Sequence, residues 1–315
     1  MRIVFFGTSD FGIPAFRALL RSGHEISTLV TQPDRARGRS LKVMPPAMKV
    51  EASANGIKVF QPKDASGAES VEHLKNIGAD LFVVISFGQI LKTAVLSLPR
   101  LGCVNVHASL LPKYRGAAPT NWAIINGEDL TGVTVMKMNE KMDEGDIILQ
   151  KEVRIGRGWN NIILSSKLSE AGSVALTESL EIIQSQSGSG FNRQNNALAT
   201  YAPKLKKSDG LIDWTEDAAV IDSKVRGLLP WPSAYTGYAG KILKILNAEI
   251  VDLPGADEYL PGQVVDLAED GGVVVKAGSG FLAIKELQLE GKKAMDAASF
   301  MRGHRMTKGY RFGIK

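Results

Sequence analysis

Residues 79–86 read ADLFVVIS, a run that is apolar almost throughout and shows no alternation. A strand with one face in water alternates apolar and polar side chains, whereas a strand covered on both faces has no reason to. The run therefore predicts a strand inside a parallel sheet with helices on either side. The pattern around it agrees. A short strand at 2–6 leads through Gly7-Thr8-Ser9-Asp10 into a helix that places Pro14 in its first turn and ends near Arg21. A strand near 26–31, a helix near 46–55, a strand at 57–60 and a helix near 67–76 come next. Beyond the apolar run lie a strand at 102–106, a helix at 119–126 and a β-branched strand at 132–138. Alternation of this kind predicts an α/β domain built on a Rossmann-like, mostly parallel sheet.

A long amphipathic helix over 160–185 closes that half. The stretch SQSGSGFNRQNNALATYAPK then turns rich in Ser, Gly and Asn and loses any helical period. The expected division is a catalytic domain at 1–188, a linker at 189–207 and a second domain at 208–315. In the last part a brief strand at 211–213 and a helix near 216–227 precede short strands at 234–238, 241–250, 261–267, 272–276 and 281–289. Gly and Pro punctuate them, the mark of a small β-barrel of OB-like kind or a sandwich.

The length of 315 residues suits two domains. The opening apolar run is cut at Gly7, too short for a signal segment or a membrane span. Cys103 is the single cysteine. It can form no intrachain bridge and no cysteine-rich metal site, and it fits a reducing cytoplasm. Four histidines without ligand spacing give no metal centre. The first turn, GTSDFG, lacks the middle glycine of the dinucleotide fingerprint, and no acidic residue ends the second strand, so no nicotinamide nucleotide is expected. The net charge of +5 is concentrated in islands. Arg35, Arg37, Arg39 and Lys42 crowd one stretch, Lys204, Lys206 and Lys207 another, and Arg302, Arg305, Lys308 and Arg311 a third. One island is ordinarily solvated surface; three together fit a polyanionic partner such as RNA.

The chemistry lies in NVHASLLPKYRGAAP (105–119). Asn105 and His107, two apart on a strand, point to one face. Buried, satisfied polar groups are the plain alternative. Against it, open α/β sheets bind ligands beyond the carboxyl ends of their strands, and MDEGDIIL (142–149) brings Asp143 on a glycine-bent loop after a further parallel strand. An amide to donate to an oxyanion, an imidazole to move a proton and a carboxylate to orient it suit acyl transfer. With no Ser or Cys nucleophile in the set, the attacking group belongs to the substrate.

These stretches resemble the folate-dependent formyltransferases. The likeness extends to TQPDRARGRSLKVMPPAMKV (31–50), FVVISFGQIL (82–91), YAPKLKKSDGLIDW (201–214) and RGLLPWPSAYT (226–236), the last two being similar to the branch acting on methionyl-tRNA. The resemblance implies transfer of a formyl group from 10-formyltetrahydrofolate to the amino group of initiator methionyl-tRNA by a cytoplasmic enzyme, with no metal, no membrane and a monomeric chain. It implies that Asn105, His107 and Asp143 are catalytic. Ser109, Leu110, Leu111 and Pro112 would contact the folate, and Phe87, Gly88, Gln89 and Ile90 would line the pterin pocket. The basic stretch, with Arg39 foremost, would grip the acceptor end of the tRNA. The alternatives are a formyltransferase acting on a small amine, such as a purine precursor or an amino sugar, and a non-catalytic RNA-binding protein. Thr120 stands where an aliphatic residue is usual in that family, a departure that bears on helix packing.

Overall fold

β1 (Arg2–Gly7) is buried from Ile3 onward, and its side chains enter two layers in turn. Val4 and Phe6 join Leu74, Phe82, Val84 and Phe87 in one apolar cluster. On the other face Phe5 meets Phe16 of α1 (Ile13–Arg21) edge-on, with ring centroids 5.3 Å apart. The computed structural model describes residues 1–37, 42–186, 188–254, 258–267, 272–304 and 306–313. After α1 come β2 (Glu25–Val30), β3 (Arg35–Arg37), β4 (Lys42–Met44), α2 (Ala47–Ala54), β5 (Lys58–Phe60) and α3 (Ala68–Ile77). They are followed by β6 (Leu81–Ile85), α4 (Thr93–Leu96), β7 (Cys103–His107), β8 (Arg115–Gly116) and α5 (Pro119–Ile125). Then come β9 (Leu130–Lys137), β10 (Ile147–Arg154) and α6 (Asn161–Ser185).

Seven of these strands form one sheet in the order β10-β9-β7-β6-β1-β2-β5. Every pair from β7 through β5 is parallel. β6, the centre of the apolar run, is buried at all five positions between β1 and β7. From β1 the chain moves to β2 and β5 on one side and then returns to β6 on the other. The crevice between the carboxyl ends of β1 and β6 is thus the switch point at which open α/β sheets receive ligands.

Three expectations need correction. The strand before Asp143 is not parallel: β9 pairs with β7 antiparallel, and β10, which the sequence reading did not anticipate, pairs antiparallel with β9. The basic stretch within 31–50 is not only loop, because β3 and β4 pair antiparallel, Arg35 opposite Met44 and Ala36 opposite Val43. Main-chain pairing of this sort needs no apolar pattern to announce it. The strand expected at 211–213 reduces to a single bridge between Leu211 and Tyr235.

The chain divides into two compact units. One comprises Met1–Pro119, Leu130–Arg154 and Ser165–Pro203, and it includes β11 (Tyr201–Ala202), which pairs in parallel with β8. The other comprises Thr120–Asp129, Ile155–Leu164 and Lys204–Lys315. In the second unit α7 (Ala218–Gly227) starts at Asp217, whose carboxylate accepts the Ala219 amide at 2.8 Å. β12 (Ala234–Tyr238), β13 (Lys241–Val251), β14 (Val264–Leu267), β15 (Val273–Lys276), β16 (Phe281–Leu289) and β17 (Met295–Asp296) precede α8 (Ala297–His304). These strands form a curled antiparallel sheet in the order β12-β13-β16-β15-β14, with β17 beside β16. Its two edges are joined by the segment at 309–313. Gly313 bridges Gly237 on β12, while Val264 on β14 exchanges main-chain bonds with Gly309 and Tyr310. Phe312, stacked on Trp214 at 5.7 Å, fills the space under that closure.

Cys103 lies in the apolar cluster under β6 and β7, and burial pushes its thiol up to about 12. Only the thiolate reacts, and at pH 7 such a group is ionised in roughly one molecule in a hundred thousand. A thiol reagent should leave the native protein unmodified and label it stoichiometrically in denaturant. Fast labelling without unfolding would show that this layer of the core opens.

Candidate active site

Alternation along β7 turns Asn105 and His107 to the same face, with His107 buried and Asn105 half-buried. Their neighbours on β9 are Met136 and Thr134. His107 Nε2 lies 2.9 Å from the Tyr114 carbonyl oxygen. A carbonyl only accepts, so Nε2 carries a proton and donates it there. That leaves Nδ1 as the nitrogen that can exchange a proton. Nδ1 stands 3.7 Å from Asp143 Oδ1, just outside hydrogen-bonding reach, with both side chains largely buried. Asn105 makes no side-chain hydrogen bond among the described residues.

Asp143 does not reach His107 by the simple route of neighbouring strand ends. Because β9 is antiparallel, its Lys137 lies beside Val104 near the start of β7. The loop between β9 and β10 must fold back along β7 to bring the carboxylate to the imidazole. Asp143 takes a left-handed conformation, φ 55°, which an aspartate tolerates better than most residues. Its Oδ2 accepts the Gly116 amide at 2.8 Å. The loop closes on itself where Lys137 donates its amide to Asp146, with Gly145 packed so tightly that a Cβ there would lie 1.7 Å from the Lys137 carbonyl oxygen.

Sequence reasoning passed over the residues that brace this loop. Arg115, 2% exposed, donates from Nε and Nη2 to Gln194 Oε1 at 3.1 and 2.7 Å and from Nη2 to Asn196 Oδ1 at 2.7 Å. Its Nη1 lies 3.5 Å from Glu144 Oε1. Gln194 in turn donates to the carbonyls of Asp143 and Gly145 at 2.9 and 2.7 Å. The one available signal was the YRG sequence immediately after the strand and turn that carry Asn105 and His107.

The remaining expected site residues are distributed as follows. Ser109 is fully buried and donates to the Lys113 carbonyl. The carbonyls of Ser109, Leu110, Leu111 and Pro112 each accept a bond from within the protein, from Thr134, Lys113, Gln150 and Thr200 respectively. The turn is therefore a rigid shelf whose half-buried Leu110 and Pro112 offer apolar surface. Phe87 is buried edge-on against Phe6, Gln89 bonds to Ala65 and Lys63, and Ile90 stands 72% exposed. Phe87 and Gly88 line a cavity of about 410 Å³ at the β1–β6 switch point, together with Thr8, Ser9, Gln32 and Arg35. Arg35 there donates to Gln32 Oε1 at 3.0 Å. Arg37 and Lys42 lie on the β3–β4 hairpin, and Arg39 lies outside the described residues. Lys204, Lys206 and Lys207 are exposed at the start of the second unit's last segment. Among the described residues no cluster of three acidic, histidine or cysteine side chains is placed to hold a metal, and no helix is long and apolar enough to cross a membrane.

Residues 1–180 match the family described as Formyl transferase, and residues 204–305 match its C-terminal domain family. Methionyl-tRNA formyltransferase of Citrifermentans bemidjiense is 44% identical over 315 residues, covering 100% of this chain and 97% of that protein. The enzyme of the same name from Moorella thermoacetica is 45% identical, covering 98% of each. Among solved structures, HypX from Aquifex aeolicus in complex with tetrahydrofolic acid superposes with a TM-score of 0.67 at 18% identity. The match covers 100% of this chain and 51% of HypX, so this chain spans about half that protein's length. WlaRD, a sugar 3N-formyl transferase, gives 0.67 at 18% identity over 93% of this chain and 99% of its own. At such identities these two structures speak for the fold alone.

Gly145→Ala tests the tight loop. The added methyl group cannot coexist with the Lys137 carbonyl, and overpacking of this kind costs about 1–3 kcal/mol. Displacement of the loop carries Asp143 away from His107, and a misplacement near 1 Å costs on the order of 100-fold in rate. Turnover and the denaturation midpoint should both fall; a variant with unchanged turnover would show that the loop's position does not matter.

Proposed function

The chain belongs to the formyl transferase family, and from that premise we propose that it transfers the formyl group of 10-formyltetrahydrofolate to the free amino group of initiator methionyl-tRNA. One observation carries this reading: the His107–Asp143 pair beside Asn105, in a chain that matches methionyl-tRNA formyltransferases over its whole length. The neutral α-amine of the methionyl group attacks the formyl carbon. Asn105 donates an N–H to the oxyanion that forms, an interaction typically worth about 3 kcal/mol in a dry site. His107, its Nε2 proton held by Tyr114, works through Nδ1, the nitrogen that faces Asp143. A new N–C bond forms and the bond from the formyl carbon to the folate N10 breaks. The amine gives up one proton and N10 gains one. Positioned acid–base groups contribute about 100- to 10,000-fold to such a transfer.

Support for the folate comes from the half-buried apolar surface of Leu110 and Pro112 on the shelf at Ser109–Pro112, next to the strand that carries Asn105 and His107. A flat heterocycle with polar edges suits such a site. For the tRNA, Arg35 at the cavity, with Arg37 and Lys42 on the hairpin and Arg39 between them in sequence, would hold the acceptor end, and Lys204, Lys206 and Lys207 would meet backbone phosphates. On this reading residues 1–188 form the catalytic domain, 189–207 connect, and 208–315 form the tRNA-binding domain of a monomeric, cytoplasmic enzyme.

Replacing Asn105, His107 or Asp143 by Ala should lower formylation of charged initiator tRNA by about 100-fold or more while leaving tRNA affinity almost intact. Near-normal turnover in His107→Ala excludes the proton-transfer role. The same assay run with a purine-precursor amine and an amino sugar separates the readings, since preference for either small amine would remove the tRNA from the proposal.

Affinity for the tRNA should fall steeply as salt rises, because phosphate contacts release counterions. Arg35→Ala should weaken binding and reduce the slope of log affinity against log salt by about one if Arg35 meets a phosphate. Binding that ignores salt would contradict the placement of the basic islands.

A further inference from the structure

We infer that Gln194, held by Arg115, is a positioning residue that sets the catalytic carboxylate, so that part of the active site is built by the irregular segment after α6. The inference rests on the proposed role of Asp143. The contacts form a closed ring. The Arg115 guanidinium holds the Gln194 amide oxygen, and the Gln194 amide nitrogen holds the main chain of the loop at Asp143 and Gly145. The Asp143 carboxylate is then held by the amide of Gly116, the residue next to Arg115. Asp143 is fixed at both ends, main chain and side chain, from one place on the fold.

The orientation of the Gln194 amide follows from its surroundings. Two N–H groups of Arg115 face one end and two carbonyls face the other. Turning the amide over would set donors against donors and acceptors against acceptors. Arg115 is likewise constrained, because a guanidinium that is 2% exposed must have its donors met. Glu144 supplies the nearby charge and Asn196 a second acceptor. The segment that brings Gln194 is itself anchored within the first unit. Asn192 and Ile147 exchange main-chain bonds at 2.7 and 3.1 Å, and β11 pairs with β8. Gly116 permits that pairing, having φ 122° and a position where a Cβ would lie 2.7 Å from the Ala202 carbonyl oxygen.

Among the described residues neither Arg115 nor Gln194 hydrogen-bonds to His107, and both act through the loop. A positioning role and a merely structural one separate in Gln194→Glu. The new carboxylate keeps and strengthens the bond to Arg115 but turns repulsive oxygens toward the carbonyls of Asp143 and Gly145. The melting temperature should hold or rise. The kcat should fall on the order of 100-fold, as expected for a displaced catalytic group, with little change in KM for either substrate. In an Asp143→Ala background the same substitution should add nothing, as residues acting in one chain are not additive.

A folded Gln194→Glu enzyme with unchanged kcat, or with a loss confined to KM, overturns the inference. If Asp143→Ala is inactive while Gln194→Glu is fully active, only the positioning role falls. If Asp143→Ala keeps its turnover, the proposed mechanism falls first. Should Gln194→Glu fail to fold, Asn196→Ala at an exposed position decides the matter. A smaller drop in kcat with KM unchanged supports the inference, and wild-type behaviour overturns it.

Discussion

His107 and Asp143 both lean on the main chain of one short stretch. The carbonyl of Tyr114 accepts a hydrogen bond from the imidazole, and the amide of Gly116 holds the carboxylate. Main-chain groups cannot adopt a new rotamer, so the relation between His107 and Asp143 is as stiff as the peptide between them. Nor can this stretch move freely, since Tyr114 donates its amide to Thr200 Oγ1 and Arg115 donates its own to the Thr200 carbonyl. Fixing dipoles before the substrate arrives is what makes an oxyanion site effective, because no reorganisation remains for the moment of reaction.

The sheet contributes in two ways. Its parallel part, from β7 to β5, creates the β1–β6 crevice where the cavity and Arg35 lie. Its antiparallel edge, β9 and β10, sends the loop with Asp143 back over β7. A wholly parallel sheet would have carried the next loop out at the same end as His107. The fold-back is why Gly145 and a left-handed aspartate are needed in so short a connection.

The parallel part was legible in the sequence because burial on two faces leaves a visible trace, as in ADLFVVIS. The direction of β9 was not, because TGVTVMK has the same apolar character whichever way its neighbour runs. The pairing of Asn105 with His107 followed from a spacing of two on a strand, and Asp143 from a glycine-bent loop. The pairing of Arg115 with Gln194 left no such trace. The two are 79 residues apart, and Gln194 sits in a run whose Ser, Gly and Asn content reads simply as connection. Composition reports that a segment lacks a core of its own; it does not report that its side chains complete someone else's polar network. The strand expected at 211–213 failed for the converse reason, since an apolar triplet fits a single bridge as readily as a ladder.

The long reach of the bond between Tyr114 and Thr200, across 86 residues, gives the site an order of assembly. A nascent chain that had emerged only through α6 could lay down the parallel sheet and bring His107 into place while lacking the clasp that steadies it. Catalytic competence would then be acquired late and surrendered early. Peeling the irregular segment from 191 to 203 off β8 and β10 would release that clasp while the parallel strands stay paired, so the enzyme can fall silent before it melts.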